Sequence, residues 1–128
     1  MLTPVRHGKP ILVGTGKLTR AAIFNKEGTS VWASSPGFTV TPAEIKEIVS
    51  AYNDGEKVLS SGMHVGGERY VVLKIVDRSI YCKKGKEGLC IVKTTQAILV
   101  AHYPEMVQPG EATKIVEELA DYLVSVGY

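Results

Sequence analysis

Four runs of strand-forming residues lie so close together between Glu68 and Tyr103 that the links between them leave room only for turns. They are Glu68–Val76 (ERYVVLKIV), Ser79–Lys83 (SIYCK), Leu89–Lys93 (LCIVK) and Gln96–Tyr103 (QAILVAHY). The links are Asp77-Arg78, the charged glycine loop Lys84–Gly88 (KGKEG) and Thr94-Thr95. Parallel neighbours need a crossover of roughly a dozen residues, whereas antiparallel neighbours close through tight turns. This stretch of the chain is therefore held to an antiparallel meander. Alternation within the first run sets Tyr70, Val72 and Lys74 on one side and Val71, Leu73 and Ile75 on the other.

One face of such a sheet has to be covered, and the last stretch, Glu111–Tyr128 (EATKIVEELADYLVSVGY), is suited to cover it. Ala112, Ile115, Val116, Leu119, Tyr122, Leu123 and Val126 recur at intervals of three and four, which aligns them on one helix face. Pro109-Gly110 marks the start, Glu111 suits the positive end of the helix dipole, and Gly127 is a natural stop. A second helix is expected from Thr41-Pro42-Ala43-Glu44, where Thr41 can cap and Glu44 can close a capping box. Its stripe is Ile45, Ile48, Val49 and Tyr52; it ends near Asn53-Asp54-Gly55, and a turn-rich piece follows to Gly62.

Upstream, Lys17–Asn25 reads as a strand, Lys26-Glu27-Gly28 as a turn and Ser30–Ser34 as its hairpin partner, closed by Pro36-Gly37. Met1–Pro10, broken by Pro4, Gly8 and Pro10, reads as an irregular arm. The expected class is α+β: a central antiparallel sheet flanked by helices, with a C-terminal amphipathic helix. At 128 residues it is expected to be one domain, 1–128.

Composition narrows function by exclusion. A net charge of +2 gives no general attraction to nucleic acid. No apolar run approaches the ~20 residues of a membrane span. Met1–Pro10 lacks the apolar core of a signal peptide, so a cytoplasmic chain with reduced thiols is expected. His7, His64 and His102 are scattered, and Cys82 and Cys90 have no metal-ligand spacing, so neither a metal nor a cofactor is expected. Both cysteines alternate with apolar residues in expected strands, which suits burial better than a nucleophile beside a base. Gly66-Gly67 and Gly85–Gly88 are too short and wrongly placed to cradle a phosphate. No two carboxylates stand out as acid and base. These residues point to binding and give no sign of catalysis.

Two features exceed what packing asks for. Trp32, Tyr122 and Tyr128 come together if the last helix packs beside the first hairpin. Flat rings with N–H and O–H donors suit a polyproline II segment, which is stiff and presents open carbonyls. The other feature is a basic cluster, Arg69, Lys74, Arg78, Lys83, Lys84 and Lys86, which is either a solvated face or a surface for an acidic protein or anionic lipid.

At these residues the chain resembles a known family. The matching blocks are VGTG with LTRAAI (13–23), SVWASSPGF (30–38), VTPAEI (40–45), GGERY (66–70), RSIYCKKGKEG (78–88), VKT (92–94) and QPGEATKIVEELADYL (108–123). Together they resemble profilins, most closely those of fungi and amoebae. The resemblance implies a profilin fold without catalytic activity, acting as a monomer in the cytoplasm and cytoskeleton. It implies binding of monomeric actin, with control of polymerisation and nucleotide exchange, delivery of actin to proline-rich partners such as formins, and contact with phosphoinositides.

By position, the resemblance places actin at Arg69, Val72, Lys74, Lys83, Gln108, Gly110, Thr113, Lys114 and Glu118. It places proline-rich segments at Trp32, Tyr122, Leu123 and Tyr128, and phosphoinositides at Arg69, Arg78, Lys83, Lys84 and Lys86. One departure stands out: such profilins begin with a helix whose Trp and Tyr form the second wall of the proline groove, and Met1–Leu12 holds neither. At about 0.5–1.5 kcal/mol per stacked ring, proline affinity is expected to fall by roughly ten- to a hundredfold, unless this N-terminus is an alternative start. The competing expectation keeps the scaffold without actin, as a phosphoinositide-binding or adaptor module working through the basic cluster.

Overall fold

The computed structural model describes residues 20–29, 31–34, 40–105 and 107–128; the expectations for the N-terminal arm, the strand before Arg20 and the Pro36-Gly37 stop lie outside them. In chain order the elements are β1 (Arg20–Asn25), β2 (Val31–Ser34), α1 (Pro42–Asn53), α2 (Gly55–Ser61), β3 (Met63–Val65), β4 (Glu68–Val76), β5 (Ser79–Lys84), β6 (Glu87–Lys93), β7 (Ala97–Tyr103) and α3 (Pro109–Ser125). The strands form one sheet, β2-β1-β7-β6-β5-β4-β3. Every neighbouring pair is antiparallel. The meander is thus as expected, and β7 closes it by lying between β6 and β1.

That central position explains the β7 sequence. Every residue from Ala97 to Tyr103 is buried, because both faces of the sheet are covered. Ile98 and Val100 join Phe24, Ile48 and Ile80 under α1, while Leu99 and Ala101 join Val116, Leu119 and Leu123 under α3. Helix α3 buries Ala112, Val116, Leu119, Ala120 and Leu123 and leaves Tyr122 half-exposed. Its tail is tied to the β6–β7 turn: Thr94 Oγ1 donates to the Tyr128 main-chain oxygen at 2.7 Å, Gln96 N donates to the same oxygen, and Gln96 Nε2 donates to Gly127 O at 2.6 Å.

The capping box at α1 forms as expected, with Thr41 N donating to Glu44 Oε1 (3.0 Å) and Glu44 N to Thr41 Oγ1 (3.2 Å). The same buried carboxylate also accepts from Gly66 N (3.0 Å) and Gly67 N (2.8 Å), in a β3–β4 turn where both glycines have positive φ. Glu44 therefore ties the helix to the hairpin. Glu44→Ala is expected to lower stability by about 1–2 kcal/mol, because it removes a cap and strands main-chain donors. Chemical denaturation would show this, and a midpoint equal to the parent's would contradict it.

Three local expectations are corrected. The piece to Gly62 is not turn-rich but helical, α2, with Val58 as its one buried side chain and Gly62 (φ +84°) ending it. The loop Lys84–Gly88 is tighter than read: Lys84 and Glu87 pair across a turn of Gly85 and Lys86, and Gly88 lies opposite Tyr103. A Cβ at Gly88 would stand 2.2 Å from the Tyr103 ring, so the ring occupies the space the glycine leaves. Finally, the alternation in β4 breaks. Val72 faces Cys82, yet Lys74 faces Tyr81, so Leu73 is an extra residue in a β-bulge. Beyond the bulge Ile75 packs with Tyr70 and Val72, and Lys74 is carried to the opposite face.

Candidate functional site

The bulge builds a groove. Leu73, Lys74, Tyr81, Lys83 and Tyr103 from the sheet meet Pro109, Gly110, Thr113 and Lys114 from the first turns of α3, around about 510 Å³. Lys74 Nζ lies 5.1 Å over the Tyr81 ring, a cation–π contact that holds the lysine across the floor. Leu73 and Val71, 56% and 51% exposed, give the groove an apolar shoulder beside Lys83, which pairs with Val71. Among the described residues three lysines and no carboxylate line it, which gives it a positive field.

Of the residues assigned to actin by resemblance, Lys74, Lys83, Gly110, Thr113 and Lys114 converge on this groove. Gln108 caps α3 at its edge, and Glu118 is exposed one turn beyond Lys114. Arg69 is exposed on β4, its Nε donating to Ser61 O at 3.0 Å. Val72 is placed differently from the expectation: it is 4% exposed and packs in the core under α1. Val71, Leu73, Tyr81 and Tyr103 occupy the face expected for it; the alternation already sets Val71 and Leu73 opposite Val72, and the bulge, which leaves no mark in a hydrophobic pattern, brings Lys74 over to join them.

The basic cluster is not one patch. Lys84 is ion-paired with Glu68, whose carboxyl is held below its usual range by that hydrogen bond. Lys86 meets Glu105 at 3.4 Å. Arg78 lies at the opposite end of β5 from Lys83, gripped by Glu117 and Asp121 on α3. Among the aromatics, Trp32 and Tyr128 stack edge to face with centroids 5.8 Å apart, and Tyr122 is 50% exposed on the last turns of α3. Leu123, expected to line the proline site, is 2% exposed and packs under the helix, because it belongs to the inward stripe.

Cys82 and Cys90 are free and buried on opposite faces of the sheet. Burial pushes both thiols up to about 12, so they stay protonated at neutral pH and are poor nucleophiles. His102 is buried with Nε2 2.7 Å from Glu87 Oε1; burial lowers its pKa, which the Glu87 hydrogen bond partly opposes. Among the described residues no three His, Cys, Asp or Glu side chains gather as metal ligands, and no helix is long and apolar enough to cross a membrane.

A family model described as Profilin matches residues 9–128. The chain belongs to the profilin family. It is 49% identical to the profilin of Schizosaccharomyces pombe over 117 residues, covering 91% of this chain and 92% of that one. The solved structure of Acanthamoeba castellanii profilin IA, 46% identical, superposes with a TM-score of 0.91 over 96% of this chain and 98% of that chain. Mouse profilin IIa, solved in complex with a double repeat from the FH1 domain of mDia1, is 25% identical with a TM-score of 0.79, covering 93% and 95% of the two chains. The α+β class and the central antiparallel sheet expected from the sequence are those of the family.

Proposed function

We propose that this family member binds actin monomers through the lysine-rimmed groove between β4–β5 and the start of α3, and so regulates actin polymerisation and nucleotide exchange. The observation that carries the reading is the pairing of an exposed apolar shoulder, Val71 and Leu73, with Lys74, Lys83 and Lys114 around one concave face. An apolar centre rimmed by charge is how a reversible protein interface gains contact area, steering and register. Gln108, Glu118 and Arg69 extend that surface, while Val72 supports it from below. The chain works by surface complementarity in the cytoplasm, as one domain and without covalent chemistry.

Proline-rich segments are the second partner class, in keeping with the FH1 repeat bound by the mouse relative. Trp32, Tyr122 and Tyr128 are the contact residues we assign, with Leu123 holding their helix in place. Phosphoinositides would meet the chain near Lys83, Lys84 and Lys86, with Arg69 beyond them on β4. The test is a titration of labelled actin monomers, followed by nucleotide release and polymerisation assays. Saturable binding with altered release and slower assembly is expected. Salt-sensitive binding to anionic vesicles with no response from actin would instead establish the adaptor reading.

A further inference from the structure

Arg78 stands in the β4–β5 turn and is held from two directions. Its main-chain oxygen accepts from Tyr52 Oη on α1 at 2.8 Å and from Lys93 N at 2.9 Å. Its guanidinium reaches α3, with Nε and Nη2 donating to Glu117 Oε1 at 3.0 and 2.7 Å and Nη2 to Asp121 Oδ1 at 2.6 Å. Glu117 is fixed in turn by Ser79 Oγ, which donates to Oε2 at 2.5 Å. This strap therefore joins the helices on the two faces of the sheet through one residue. Glu117 lies one turn after Thr113 and Lys114, which line the groove, and Asp121 immediately precedes Tyr122.

We propose that Arg78 is a positioning residue for both binding sites, setting the seat of α3 on the sheet and thereby the groove at one end and the aromatic face at the other. The inference rests on the actin and proline-rich reading given above. Two neighbouring carboxylates take the Nε and Nη2 donors of Arg78 and would repel a phosphate, so it is poorly placed as a lipid contact. Roughly 15 Å of strand also separates it from Lys83, too far for one ligand headgroup to bridge with ease. Partly exposed ion pairs add little to global stability. The signature of positioning is therefore a loss of affinity that outruns any loss of stability.

The experiment compares the parent chain with Arg78→Gln, Arg78→Lys and the exchange Arg78→Glu with Glu117→Arg. Three readouts are taken: affinity for actin monomers, affinity for a polyproline decamer, and binding to phosphatidylcholine vesicles containing phosphatidylinositol 4,5-bisphosphate. Arg78→Gln is expected to lose about three- to tenfold against both protein ligands with an almost unchanged melting temperature. Vesicle binding should be unaltered, and Arg78→Lys and the exchange should recover part of the loss. If the parent binds both ligands and Arg78→Gln binds them equally well, the proposal is overturned. A selective loss of vesicle binding overturns it too, by making Arg78 a lipid contact. A parent that binds neither ligand defeats the functional reading itself, and the positioning role falls with it.

Discussion

Lys83→Glu is expected to weaken actin-monomer binding by about 2 kcal/mol, roughly thirtyfold, while the melting temperature stays where it is. The asymmetry follows from where the side chain sits. Lys83 is exposed on β5, flanked by Val71 and Gly88, and no ion pair joins it to another described residue. Reversal therefore leaves no cavity and strands no buried partner. Within the groove it places an anion between Lys74 and Lys114, cancelling much of the positive field and presenting like charge to an acidic partner surface. Part of the loss should appear in the association rate and shrink as salt is raised. Titrating labelled actin at two ionic strengths measures both effects. An affinity within twofold of the parent's would remove Lys83 from the interface.

Leu123→Ala is expected to lower folding stability by about 3 kcal/mol, within the 2–5 kcal/mol range for buried leucines. Leu123 is 2% exposed and packs in the core beneath α3 with Val116, Leu119 and Leu99, so truncation opens a cavity where helix and sheet meet. Neighbouring Tyr122 is half-exposed, and Tyr122→Ala should leave stability nearly unchanged while reducing the affinity for a polyproline peptide. The two substitutions thus separate support from contact. Urea denaturation gives the first quantity, and emission of Trp32, the only Trp in the chain, gives the second. A Leu123→Ala protein as stable as its parent, with weakened peptide binding, would return Leu123 to the contact surface.

Legibility of the fold tracked how strongly each element is patterned. The meander could be read because its turns are short and its strands are rich in Val and Ile; Thr41 and Glu44 announced α1 because a capping box is a local device. Helix α2 escaped notice because seven residues with one buried side chain hold no period, and Ser60 and Ser61 resemble turn residues while their hydroxyls bond back to the carbonyls of Glu56 and Lys57. The site was read less well for a related reason. Val72 came to the actin surface by resemblance alone; the alternation in β4 pairs it with Lys74, and the bulge at Leu73 carries Lys74, not Val72, to the groove side. Leu123 came to the proline site by resemblance, although its spacing already set it on the apolar stripe, and it lies about 100° around the helix from Tyr122. Arg78 looked like part of a basic patch because a sequence does not reveal which carboxylates from a distant helix will meet it.

We place the actin monomer on one face of this molecule, the groove between β4–β5 and the start of α3. Hydrogen exchange of the chain with and without saturating actin monomers tests it most directly. Slowed exchange is expected in Val71–Lys74, Tyr81–Lys83 and the first turns of α3, with Pro42–Ser61 on the opposite face unchanged. Protection confined to α1 and α2, or none at saturation, would contradict it.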